Sequence, residues 1–147
     1  MNKITSQQKS YIAGFLDGDG SVYVQAKKNH AYKYGYQIAP YVVLFQSTKN
    51  ETSFIEICNI IKLGHLRRRK DGISEYVIGK IDNLKEFLEL VRPFVIMKRK
   101  QVELMLKILN QKDLVKNPKD FEALLRLVNS FRELNYSKKR LIRTLTP

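Results

Sequence analysis

The sequence predicts an α+β fold, in which two helix-plus-hairpin units build a four-stranded, largely antiparallel sheet in the order αββαββ, with more helices behind. Three observations predict it. Residues 21–28 and 36–46 are dense in Val, Tyr and Phe; a second pair of short runs, 65–69 and 73–78, flanks Lys70-Asp71-Gly72; amphipathic segments precede, separate and follow the pairs. Strands that arrive as consecutive hairpins pair antiparallel, and a sheet covered by helices on one side leaves its other side free. The 147 residues include only 7 glycines and 4 prolines, with no low-complexity tract or internal repeat. They read as a single domain over 1–147 that buries roughly 70% of its unfolded surface.

The first element is a helix over 6–17, capped by Ser6 and apolar from Tyr11 to Leu16. Gly18 and Gly20 are expected to end it through left-handed or strained backbone. Strands over 21–28 and 36–46 follow, and Pro40 marks a bulge or irregular pairing, because proline cannot donate to a ladder. A helix opened by Thr48 or Asn50 carries Phe54, Ile57, Ile60 and Ile61 on one face and closes at Gly64. Strands over 65–69 and 73–78 turn on Asp71-Gly72, a strong hairpin signal. Asp82 is expected to cap a helix bearing Leu84, Phe87, Leu88 and Val91, stopped by Pro93, and another helix is expected over 96–109. The last clear helix begins at Pro118, with Phe121, Leu124, Leu125, Val128 and Phe131 as its core-facing stripe.

The chemistry concentrates where the first helix ends. Asp17-Gly18-Asp19-Gly20 sets two carboxylates at the negative end of the helix dipole, which raises the local energy unless a cation arrives. The arrangement suits a hard divalent metal held through oxygen. Gly14 and Gly18, four residues apart, thin one side of the helix together with Ala13, so that another backbone can approach. The formal charge is +13, from 27 Lys+Arg against 14 Asp+Glu. Self-repulsion of this size adds nothing to fold stability, whereas counterion release on binding phosphates makes it useful, so nucleic acid is the first candidate partner.

Other classes are disfavoured. Apolar runs such as 41–45 fall far below the ~20 residues of a spanning helix, and the polar stretch 1–10 carries no secretory signal. A single cysteine, Cys58, sits in an apolar run. The expectation is an intracellular protein with no membrane partner, no disulfide and no zinc site. Asp17-Gly18-Asp19-Gly20-Ser21 superficially fits the Asp-x-Asp-x-Ser/Thr of haloacid-dehalogenase-type phosphohydrolases, but a helix precedes it and no acidic pair follows. As an EF-hand it would need Gly and Glu where Val22 and Lys28 stand.

Alternation sorts the sheet faces. Tyr23, Gln25 and Lys27 share one side of the first strand, and Arg68 and Lys70 are expected to share one side of the third while Arg67 and Arg69 point away. One such cation is usually a solvated side chain. A whole face of them, given the net charge, suits a ribbon that enters the major groove.

Residues 11–21, Tyr-Ile-Ala-Gly-Phe-Leu-Asp-Gly-Asp-Gly-Ser, resemble the LAGLIDADG motif of homing endonucleases. The similarity continues at Gln46 after the second strand, at Ser74-Glu75-Tyr76, and at Pro93-Phe94 leading into Lys98-Arg99-Lys100-Gln101. It covers the chain through about Asn135, in the manner of the small single-motif, intron-encoded type, and the tail 137–147 matches nothing usable. The resemblance implies the αββαββα homing-endonuclease fold, with the sheet as a DNA-binding saddle. It implies a homodimer whose motif helices meet through Ile12, Ala13, Gly14, Asp17 and Gly18, Asp17 being structural at that helix pair.

The same resemblance implies Mg²⁺, with Mn²⁺ or Ca²⁺ able to occupy its sites, held by Asp19 and the carbonyl of Gly18 over the minor groove. Asp19, Gln46 and Lys98 are the implied catalytic residues: metal ligand, positioner of the hydrolytic water, and basic group near the scissile phosphate. A further basic position found in some relatives falls at Lys49 or Asn50. The residues expected to meet DNA are Tyr23, Gln25, Lys27, Gln37, Tyr41, Arg68, Lys70 and Glu75 on the sheet, with Asn29, Tyr32 and Lys33 from its loop. The implied activity is site-specific double-strand cleavage of a long pseudo-palindromic DNA target, leaving short 3′ overhangs. An RNA-binding maturase acting on intron RNA, with weak or no cleavage, is the alternative on the same fold.

Overall fold

A computed structural model describes residues 3–135; the tail over 137–147 lies outside the described residues. The first helix, α1 (Ser6–Asp19), is started by Thr5 and not by Ser6. The Thr5 hydroxyl accepts the Gln8 N–H at 3.1 Å while Gln8 Oε1 accepts the Thr5 N–H at 2.9 Å, a reciprocal capping box. The helix runs through Gly18 to Asp19, and no left-handed residue ends it. Gly20 is extended and passes directly into β1 (Gly20–Lys28). Space is what requires glycine there, since a Cβ would lie 2.7 Å from Leu16 Cδ1 and 2.9 Å from the Leu16 carbonyl oxygen.

β2 (Tyr36–Ser47) leads through a single 3₁₀ turn (Thr48–Asn50) into α2 (Glu51–Ile61); β3 (His65–Arg68) and β4 (Ile73–Ile78) form the second hairpin. The sheet order is β1-β2-β4-β3 with every pair antiparallel, so the two hairpins join through β2 and β4 at the centre. β1 pairs with β2 from Gly20 opposite Leu44 to Lys28 opposite Tyr36 in unbroken register, so Pro40 causes no bulge. β4 reaches β2 only from Val42 onward, which leaves Pro40 a neighbour on one side alone and makes its missing N–H harmless. The left-handed residue that closes α2 is Lys62, φ 54°, and not Gly64. Gly64 is glycine because a Cβ there would collide with the Val77 carbonyl oxygen.

Three helices complete the chain: α3 (Ile81–Val91), α4 (Arg99–Lys112) and α5 (Pro118–Leu134). Lys80 occupies the cap position of α3, so Asp82 sits two residues inside it, in the first turn, where the dipole favours it. Asn117 caps α5 by accepting the Asp120 N–H at 2.9 Å. Alternation puts Val22, Val24, Val42, Leu44, Tyr76 and Ile78 beneath the helices, which contribute Leu16, Phe54, Phe87, Met105, Ile108 and Phe131 to one core. Each such side chain, fully buried, is worth ~1.5–3 kcal/mol. The core thus fixes one face of the sheet and leaves the other open, with the end of α1 at its rim.

Candidate metal centre and nucleic-acid interface

Asp19 is the last residue of α1 and is exposed, and among the described residues its carboxylate meets no hydrogen-bond donor or ion-pair partner. Gly18 beside it is exposed too, with a carbonyl in the last turn of the helix, where backbone acceptors lack intrahelical partners. Among the described residues no three His, Cys, Asp or Glu side chains gather closely enough to hold a metal. One chain therefore offers a carboxylate and a carbonyl oxygen. That donor set fits a hard ion such as magnesium or calcium, which keeps several waters and shares phosphate oxygens, and does not fit a soft metal.

Asp17 is placed differently from its expected role at a helix pair. Its Oδ2 accepts the N–H groups of Ile96 at 2.8 Å and Met97 at 3.1 Å, and its Oδ1 accepts the N–H of Lys98 at 3.0 Å. Lys98 Nζ in turn donates to the Asp17 carbonyl oxygen at 2.8 Å. The carboxylate is committed within its own chain, just ahead of α4. Burial pushes the Asp17 pKa up, but the N–H bonds from Ile96, Lys98 and Met97 and the charge of Lys98 outweigh it and hold the group below its ordinary value. Burial pulls the Lys98 ammonium below its ordinary value, against the opposing pull of Asp17 and Asp19.

Ile12 and Ala13 are corrected as well. Both are buried in the core of the single chain, at 1% and 0% exposure, so they cannot face a partner. The outward stripe of α1 instead comprises Tyr11, Gly14 and Gly18, with Phe15 half-buried beside them against Phe54. These positions step by three, one and three, one face of a helix.

Gln46 lies two residues past Leu44, the partner of Gly20, so it stands about 7 Å further along β2 from the end of α1. Its Oε1 accepts the Ser47 N–H at 2.9 Å and the Asn50 side-chain N–H at 3.3 Å. A backbone N–H can only donate, so this fixes the amide with Nε2 as the remaining donor. Asn50, rather than the exposed Lys49, is thus the residue that touches Gln46. Lys98 lines a cleft of ≈ 490 Å³ with Gly20, Ser21, Tyr23, Tyr41 and Phe45, at the foot of the open face.

On that face Tyr23, Gln25 and Lys27 stand opposite Tyr41, Ala39 and Gln37, and the Tyr23 and Tyr41 rings meet edge to face at 5.5 Å. The third strand is shifted by one from expectation. Arg67 pairs across from Glu75, and Arg68 from the buried Ser74. Arg68 therefore points to the helix side, where it is ion-paired with Glu51 of α2, and is not on the open face. Arg67 is: its guanidinium lies 2.7 Å from Glu75, which is 5% exposed and also faces Arg69 Nε at 3.5 Å. Lys70 falls in the turn beyond β3 and shares no strand face.

Asn29, Tyr32 and Lys33 are exposed in the β1–β2 loop at the end of the sheet away from Asp19. Asn29 Oδ1 accepts the Ala31 N–H at 3.0 Å, and Gly35 supplies a positive φ of 79° to close the loop. The sequence gives no warning of three anchors: Asp17 on residues 96–98, Gln101 on the Leu134 carbonyl, and the Asn135 amide on the Val22 carbonyl. Only the fold brings those partners together.

The sequence profile of the LAGLIDADG endonuclease family matches residues 12–108. DNA endonuclease I-CreI of Chlamydomonas reinhardtii is 35% identical over 131 residues, which cover 88% of this chain and 80% of that protein. DNA endonuclease I-CvuI of Chlorella vulgaris is 31% identical over 133 residues, 90% of this chain and 83% of that protein. The crystal structure of I-CvuI in complex with the I-CreI target, with 2 mM Mg and the DNA not cleaved, matches the present fold with a TM-score of 0.83 at 29% identity, over 90% of this chain and 85% of that one.

Proposed function

Because the chain belongs to the LAGLIDADG endonuclease family, we propose that it is a site-specific homing endonuclease that cuts double-stranded DNA by metal-assisted hydrolysis of phosphodiester bonds. The observation that carries the reading is the Asp19 carboxylate, unpartnered among the described residues at the end of the motif helix, on the rim of a sheet whose open face bears Lys27, Arg67 and aromatic rings. Asp19 and the Gly18 carbonyl would hold the divalent ion. Bound there, it would supply Lewis-acid stabilisation of phosphate charge and acidify a water.

The chain's own groups do the rest. The Lys98 ammonium, held on the Asp17 carbonyl oxygen, offers positive charge to a scissile phosphate. Gln46, its Oε1 occupied by Ser47 and Asn50, offers Nε2 as a donor that can orient a water or a phosphate oxygen. The open face meets the major groove on either side, with Tyr23, Gln25, Lys27, Gln37, Tyr41 and Arg67 as the residues that read or hold DNA.

One carboxylate set per chain serves one strand, so a double-strand cut takes two chains and a target of approximate two-fold symmetry. The α1 stripe suits the second copy. A Cβ added at Gly14 or Gly18 meets nothing within 4 Å in this chain, so the chain's own packing gives no reason for glycine there, and Tyr11 beside them is 61% exposed. No observation of its own favours the maturase reading. The test is incubation with a randomised duplex library and Mg²⁺, followed by sequencing of the cut ends. A single pseudo-palindromic site cut on both strands with short 3′ overhangs is expected; ends without a shared sequence would contradict the proposal.

A further inference from the structure

Lys98 stands at the entrance to α4 on a flexible four-carbon stem, and a point charge on such a stem is useful only where its base is fixed. Packing does not fix it. Val95 and Val102 are buried, but Ile96 and Met97 between them are 73% and 77% exposed. What holds the segment is Asp17, whose carboxylate gathers three successive N–H groups at 2.8, 3.1 and 3.0 Å. The same residue receives the ammonium of Lys98 on its carbonyl oxygen at 2.8 Å. The backbone and the tip of Lys98 are thus tied to one residue of α1, two positions before Asp19.

We propose that Asp17 is a positioning residue that acts through Lys98, setting its ammonium beside the metal-binding end of α1. This rests on the endonuclease reading. In this role Asp17 acts without touching substrate, and both of its carboxylate oxygens already accept backbone N–H groups, which makes it a poorer metal ligand than the unpartnered Asp19. A carboxamide in its place keeps one acceptor and turns the other into a donor facing donors, which releases part of the 96–98 segment without removing bulk.

The test is a double-mutant cycle of Asp17→Asn and Lys98→Ala. It is read as single-turnover cleavage of the target recovered from the library, beside DNA affinity in Ca²⁺, sedimentation and thermal unfolding. Asp17→Asn should keep wild-type affinity and assembly mass yet slow cleavage on the order of 100-fold, the scale set by misplacing a catalytic group. In the Lys98→Ala background the same change should add less than about threefold, because the residue it acts through is gone. Slowing that multiplies fully in the double variant, or that only tracks loss of assembly, would overturn the inference. If Asp17→Asn does not fold, Asp17→Glu, which keeps both acceptors but moves them by one methylene, is carried through the same cycle with the same criterion. Wild-type cutting in the same assay separates the two levels. A wild type that cuts while Asp17→Asn matches its rate overturns the role of Asp17 alone, and a wild type that never cuts overturns the endonuclease reading beneath it.

Discussion

The two aspartates of the motif, two residues apart, have opposite surroundings, and each predicts a measurable consequence. Asp19 places a negative charge at the negative end of α1 with no hydrogen-bond donor or ion-pair partner among the described residues, and only the nearby Lys98 ammonium attracts it from a distance. Asp19→Asn should therefore raise stability, by ~0.3–1 kcal/mol from the dipole alone, while abolishing Mg²⁺-dependent cleavage and leaving DNA binding measurable. Thermal unfolding and a cleavage assay on one preparation read both; a less stable variant that still cuts would contradict the assignment. Asp17 behaves in the opposite sense, because its N–H bonds hold its pKa in the folded chain below the ordinary 3.8. In that window the unfolded chain binds a proton that the folded one does not, so this contribution is full above the ordinary value and is lost as pH falls through the folded one. The stability gap between wild type and Asp17→Asn should shrink on acidification from about pH 6 to about pH 2, as followed by urea midpoints. The exposed carboxylate at the end of α1 was legible because carboxylates, glycines and helix end are contiguous. The hydrogen bonds of Asp17 were not, because its partners lie 79 to 81 residues away.

Among the elements, β3 shows where pattern reading fails. Arg67, Arg68, Arg69 and Lys70 are four cations in a row, and a strand without alternating apolar residues carries no internal record of which face is which. Pairing settles it: Arg67 lies across from Glu75 on the open face, and Arg68 turns to Glu51. Replacing Arg67 and Arg69 by alanine should weaken DNA binding and flatten its log-log salt dependence by about 0.9 for each phosphate no longer neutralised. Arg68→Ala should leave that slope unchanged and lower stability, because Glu51, whose side chain is only 12% exposed, loses its cation. Fluorescence anisotropy across a salt series distinguishes them; equal slopes for both variants would mean that Arg67 and Arg69 meet no phosphate. Where a strand does alternate, as β1 does with Val22 and Val24 against Tyr23 and Gln25, the sequence sorted the faces correctly. Helix ends were legible less evenly. Thr5 and Gln8 carry the capping-box spacing, whereas the start of α4 depends on the distant Asp17.

At the scale of the molecule, the order αββαββ and the antiparallel sheet follow from two hairpins and the helical stripes between them, and these survive errors of a few residues at each boundary. Among the described residues no helix is long and apolar enough to cross a membrane. The proposed assembly rests on the exposed glycines of α1. Gly14→Leu should leave the single chain at least as stable, since a Cβ there meets nothing within 4 Å and leucine favours a helix over glycine by ~1 kcal/mol. The same change should convert a sedimenting dimer to monomer and abolish double-strand cutting; an intact dimer would place the interface elsewhere. The central claim, that Asp19 equips a two-fold assembly to hydrolyse both strands of a DNA site with a divalent metal, is tested most directly by strand-resolved mapping of the ends produced from the recovered target. Wild type should give one break in each strand, offset across the minor groove to leave 3′ overhangs, only when Mg²⁺ is present, and Asp19→Asn should give none. Breaks that persist in EDTA, or that Asp19→Asn makes at the wild-type rate, would contradict it.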